Sequence, residues 1–113
     1  MTDDTQQRVA RNEAIFREIN EGIRRGRWPG EEDSISGFRC ECASLGCTQM
    51  LPLSFREYEN VREHPRRFVV APGHERLDAE AVVERRSEYL VVQKVGQAGA
   101  AAEAADPRRD PGS

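Results

Sequence analysis

Every cysteine of the chain falls within "GFRCECASLGCTQMLPL", where Cys40, Cys42 and Cys47 form a C-x-C-x4-C pattern. An odd, clustered set of thiols points to metal ligation or free thiols rather than to a disulfide framework. The pattern also restricts the backbone. In an extended strand, residues two apart point to one face with Cα atoms about 6.6 Å apart. Two thiolates on one tetrahedral zinc, with bonds of about 2.3 Å, lie on the order of 3.8 Å apart. Cys40 and Cys42 therefore require a bend at Glu41 or strongly converging rotamers. Gly46, just before Cys47, suits the tight return that the third ligand needs.

A fourth ligand must come from elsewhere. The chain has two histidines, His64 and His74. His74 lies in "APGHE", where Pro72-Gly73 is a turn signal that presents the imidazole at the end of a strand. His64 stands at the end of a short helix, where a cationic ring simply complements the helix dipole. His74 is preferred, which gives a Zn2+ site of Cys40, Cys42, Cys47 and His74. The competing readings are inert buried thiols and a thiol redox switch.

Size makes such a staple useful. With 113 residues, 37% apolar and 33% charged, the chain builds one thin-cored domain. Thr5 to about Gly26 reads as an amphipathic helix with Val9, Phe16, Ile19 and Ile23 as its stripe, widened by Ile15. Glu13 with Arg17, and Glu21 with Arg25, are spaced as i,i+4 ion pairs. Residues 31–36 read as a polar linker. "GFRCE" and "TQMLPL" follow as strands. "SFREYENVREHP" is a short helix with a Ser54/Glu57 capping box. "RRFVVAPGHE" gives a strand and turn, and "AEAVVERRSEYLVVQKV" two strands, with Asp78 to Arg86 alternatively helical. Residues 96–113 read as a disordered tail on composition. The expected class is α+β: an N-terminal helix over residues 1–30 and a zinc-stabilised core over 37–95, with a small antiparallel sheet and a second short helix. Phe38, Leu51, Leu53, Phe55, Tyr58, Phe68, Val70, Leu90 and Val92 are its expected core.

The stretch "FRCECASLGCTQMLPLSFREYENVREHPRRFVVAPGHE", with "RNEAIFREINEGI" before it and "VVERRSEYLVVQK" after it, resembles a group of small actinobacterial proteins of unassigned function. The sharpest shared parts are F-x-C-E-C and P-G-H-E. The resemblance implies a shared domain with a Cys3His-type site and brings no activity with it.

The net charge is −3 with the signs interspersed, and sixteen of seventeen basic residues are arginine. That argues against a general phosphate-binding surface. A nucleic-acid-binding zinc module using Arg24, Arg25, Arg27, Arg66 and Arg67, with Trp28 to stack, is the alternative function. Glu75 and Glu41 are conceivable general bases for a zinc enzyme, and both read more simply as solvated charges. No phosphate loop, dinucleotide fingerprint or nucleophile elbow is present. The N-terminus has no apolar signal-like run, which leads to a cytoplasmic expectation. The leading reading is a non-catalytic protein-interaction or regulatory module. Its N-terminal helix would take a partner or a second copy, with Trp28 as anchor and no membrane contact.

Overall fold

The computed structural model describes residues 3–26, 29–44 and 46–108, with the side chains of the first helix described from Arg8 onward. Its order is α1 (Asp3–Arg25), β1 (Ile35–Arg39), β2 (Met50–Ser54), α2 (Phe55–Arg62), β3 (Arg67–Val70), β4 (Glu80–Arg85), β5 (Leu90–Lys94) and α3 (Gly96–Ala104). The class is α+β, with all strand pairings antiparallel.

The strands form two small sheets rather than one. β1 pairs with β2, setting Phe38 opposite Leu51, and β5 lies between β3 and β4. The central strand β5 sets Val92 beside both Phe68 and Val82, and the β4–β5 register shifts between Val82 and Glu84. Asp78 to Arg86 is therefore not helical. Its Val82-Val83 pair is β-branched, and the edge position leaves four of the six β4 residues exposed. The sheets meet where the Glu41 N–H donates to the Val69 carbonyl at 2.7 Å.

Apolar burial alternates from Met50 to Leu53 in β2 but runs unbroken through Phe68, Val69 and Val70 in β3 and Leu90, Val91 and Val92 in β5. Phe38, Leu53, Phe68, Val69 and Val92 are essentially sealed, and the Phe38 ring stacks on Tyr58 with centroids 4.5 Å apart. All nine expected core residues are buried. α2 starts as its sequence dictates. Ser54 Oγ accepts from Glu57 N–H at 3.0 Å while Glu57 Oε1 accepts from Ser54 N–H at 2.8 Å, a capping box stabilising the start by about 1 kcal/mol.

Three expectations are overturned. The first concerns the i,i+4 ion pairs of α1, whose apolar stripe is only partly covered. Phe16 is buried, Val9 and Ile23 are partly covered, but Ile15 and Ile19 are 49% and 39% exposed. The inward face carries Ala10, Glu13, Arg17, Asn20 and Glu21 instead. The foreseen i,i+4 pairs give way to tertiary ones: Glu13 to Lys94, Arg17 to Asp106, and Glu21 to Arg62 and Arg108. A buried charge gains far more from a desolvated partner than from a solvated helix neighbour, which explains the exchange.

The second concerns residues 96–113. Residues 96–104 form α3, which packs on α1 and β5. Alanine is the best helix former, and the absence of large side chains lets α3 approach closely, with Gly99 seated against Arg66. Asp106 and Arg108 beyond it enter the ion network, Asp106 beside Arg62 and Arg108 Nε 2.6 Å from Glu21 Oε2. Residues 109–113 lie outside the described part. The third is the linker, since β1 already begins at Ile35, and Asp33 and Glu32 tie its start to Arg56.

Candidate metal centre

β1 ends at Arg39, one residue before the first thiol, so Cys40 leaves the sheet still buried. The chain then bends at Cys42 and Ala43 rather than at Glu41, the first of the two expected routes, because Glu41 is pinned in an extended pairing with Val69. Cys47 returns through a turn closed by its N–H on the Ser44 carbonyl at 3.1 Å. Leu45, inside that turn, is outside the described residues. Arg39 Nη2 donates to the Cys47 carbonyl at 2.8 Å and fixes the far end of the loop.

The second arm is the Ala71-Pro72-Gly73-His74 turn. The His74 N–H donates to the Ala71 carbonyl at 2.9 Å, and Gly73 takes φ 92°, the geometry of a type II turn with glycine at its third position. The turn aims the ring at the thiols. His74 Nδ1 lies 3.5 Å from Cys40 Sγ and 3.6 Å from Cys47 Sγ. The ligand atoms of Cys40, Cys42, Cys47 and His74 all lie within 4.8 Å of one another. These four can hold a metal ion. His64 is elsewhere, exposed just past the end of α2.

The fit of an ion can be judged from the chemistry of the donors. Bonds of about 2.3 Å to sulfur and about 2.05 Å to nitrogen set a tetrahedral sulfur–nitrogen edge of about 3.6 Å, which is the spacing of His74 from Cys40 and from Cys47. Burial pushes the Cys40 thiol up to about 12, and it raises Cys42 as well. Backbone hydrogen bonds oppose the rise, from Ala71 at 3.2 Å and Cys42 to the Cys40 sulfur, and from Ser44 to the Cys42 sulfur. Such N–H donors support thiolate charge once a cation is present. The three cysteines are free, without a disulfide.

Glu41 is not the solvated charge its setting suggested. It is completely enclosed, with Oε2 accepting from Tyr58 Oη at 2.6 Å and Asn20 Nδ2 at 2.9 Å, and Oε1 accepting from Val69 N–H at 3.1 Å. Burial is the largest cause, and the neighbouring Glu41 charge the next, of a Tyr58 pKa far above the ordinary range, so the phenol stays a donor. Glu75 caps the turn, accepting from Gly73 N–H at 2.7 Å, and these backbone bonds hold its carboxyl below the usual value. The sequence signal for Glu41 is its place between two ligands, where an alternating backbone sends it away from the thiols and into the core.

The arginines proposed for phosphate contact are largely engaged within the chain. Arg24 meets Glu21 and Glu59, Arg66 meets Glu103, and Arg67 Nε meets Gln93. Arg25 is exposed, while Arg27 and Trp28 lie outside the described residues. No described helix is long and apolar enough to cross a membrane.

Fold and site together define a small α+β protein with a Cys3His cluster between two loops. No protein-family model, no curated protein and no solved structure matches the chain.

Proposed function

We propose that this is a small protein-interaction or regulatory module, non-catalytic and cytoplasmic, whose fold is held by one structural Zn2+ on Cys40, Cys42, Cys47 and His74. The observation that carries the reading is the convergence of three sulfurs and one imidazole nitrogen within 4.8 Å, with His74 Nδ1 at 3.5 and 3.6 Å from two of the sulfurs. Thiolate-rich, tetrahedral donor sets favour zinc over the harder divalent ions. Four protein ligands leave no open position for a bound water, and open positions distinguish catalytic zinc sites. Free thiols are at home in a reducing compartment.

Elemental analysis of freshly purified protein is expected to give one zinc per chain. Cys40→Ser or Cys47→Ser should lose the metal and destabilise by at least about 3 kcal/mol, a Tm drop on the order of 10–20 °C. Metal-free protein that melts as the wild type does would remove the reading.

The outward stripe of α1 is the proposed contact surface for a partner or second copy. Its support is the exposure of Ile15 and Ile19 on one helix face. Ile15→Glu with Ile19→Glu should leave the zinc content and Tm within a few degrees of wild type while abolishing self-association or partner capture. Unchanged association would place the contact elsewhere.

A further inference from the structure

We propose that Glu41 is the positioning residue of the metal centre, and that through it the docking of α1 and α2 sets how tightly the centre holds its ion. This rests on the metal reading above. Glu41 is the residue between two ligands, and it is held from three directions. β3 pairs with it twice, through its backbone N–H to the Val69 carbonyl and through Oε1 to the Val69 N–H. Asn20 of α1 and Tyr58 of α2 share Oε2.

Asn20 does more than reach the carboxylate. Its Oδ1 accepts from Arg39 N–H at 2.7 Å and its Nδ2 donates to the Arg39 carbonyl at 2.9 Å, so one side chain grips the backbone entering the site. Further along α1, Asn12 Nδ2 holds the Ala43 carbonyl at 3.0 Å, on the other side of Cys42. The helix therefore fixes residues before, between and after the first two ligands, although none of these bonds ends on a ligand atom.

The mechanical consequence comes from backbone alternation. Successive side chains of an extended segment point to opposite sides. Drawing Glu41 inward toward the helices turns Cys40 and Cys42 together toward His74. A buried carboxylate is tolerated only when its oxygens are satisfied, so Glu41 settles in one orientation or the local packing fails. Thiols already converged need little ordering when the ion arrives, which favours tight binding. Coupling of this kind is reciprocal, and the bound ion in turn tightens the seating of α1.

The test uses full-length protein and two probes, zinc by chelator competition and cobalt by its visible spectrum. Glu41→Gln and Asn20→Ala are expected to weaken zinc about ten- to a hundredfold, the usual effect of losing a group that orients a ligand. They should also shift the cobalt ligand-field and thiolate charge-transfer bands. Tyr58→Phe, which removes one donor and keeps the ring stack, should give a smaller change of the same sign and decides the matter if the other two fail to fold. Val82→Ala, a truncation on edge strand β4 that packs against the core away from α1, α2 and these bonds, is the comparison. It should lower Tm with affinity and spectrum unchanged. Equal affinity loss in Val82→Ala at equal Tm loss, or wild-type affinity and cobalt bands in the Glu41, Asn20 and Tyr58 variants, overturns the positioning role and leaves the metal site standing. A wild-type protein that takes up neither probe overturns the metal reading itself, and the positioning role with it.

Discussion

Lys94 carries one positive charge between two carboxylates, its Nζ 2.6 Å from Glu13 and 2.5 Å from Glu80, with all three side chains sealed from solvent. One carboxylate is left over. Glu80 has a further donor in the Arg76 N–H, at 2.6 Å, so the surplus falls on Glu13. Burial is the dominant influence there and raises the Glu13 carboxyl to about 7, with Lys94 opposing it. The folded state thus holds this proton more tightly than the unfolded chain. That contribution is full below about pH 4.5 and is lost as pH rises through about 7, by as much as about 3 kcal/mol. Glu13→Gln removes the titration and nearly keeps the shape. The Tm of the variant should gain on the wild type steadily between pH 4.5 and 7.5. Parallel Tm–pH curves over that range would show that Glu13 does not titrate there. The thiols act with the opposite sign on metal uptake, since each ligand sheds a proton to bind, so zinc affinity should climb with pH.

At the scale of elements, α1 and α3 depend on each other through charge. Arg17 and Arg62 are buried, and both meet Asp106 beyond α3. Burial would raise Glu21, but hydrogen bonds from Arg108 and Arg62 outweigh it and hold the carboxyl below its usual value. Truncation after Val95 removes Asp106 and Arg108, which strips buried Arg17 of its ion-pair partner and leaves Arg62 with Glu21 alone. It should cost about 3–5 kcal/mol, read as a lower urea midpoint. A midpoint within error of wild type would mean that α3 is an appendage. What was legible in the sequence was local: the Ser54/Glu57 box, the Pro72-Gly73 turn that delivers His74, and strands whose alternation fixes Phe38, Leu51 and Leu53. How much of the α1 stripe stays uncovered was not legible, because Ile15 and Ile19 suit a core or a docking face alike until Lys94, Asp106 and Arg108 are known to face Glu13, Arg17 and Glu21. α3 was hidden by composition, since Ala and Gly runs suit a close-packed helix and a solvated tail alike. Glu41 shows a third limit. Its neighbours identify it only once Asn20 and Tyr58 have been brought to it.

The whole molecule is gathered to a radius of gyration of 13.5 Å, near the value of about 13 Å for a compact chain of this size. α1 and the segment that follows α3 are what close it. Glu21 and Arg108 stand 87 positions apart and meet side chain to side chain. Buried pairs are poorly screened, so raising salt from 0.05 to 1 M should lower Tm by only a few degrees, whereas a fold resting on its surface pairs would lose more. The same closure dictates an order of events during synthesis. At about 5–20 residues per second, the first helix waits on the order of ten seconds for the counter-charges that neutralise its inward face. Through that interval its charged side has only water, its isoleucines are equally uncovered, and Glu41 lacks nothing but a settled helix to meet it. A ribosome-tethered chain halted after Val95 should therefore remain protease-sensitive in α1, and one extended past Arg108 with enough linker to clear the tunnel should become resistant. The fold closes only after the segment through Arg108 has been made, and its thiols spend the wait open to whatever metal or oxidant the nascent chain encounters.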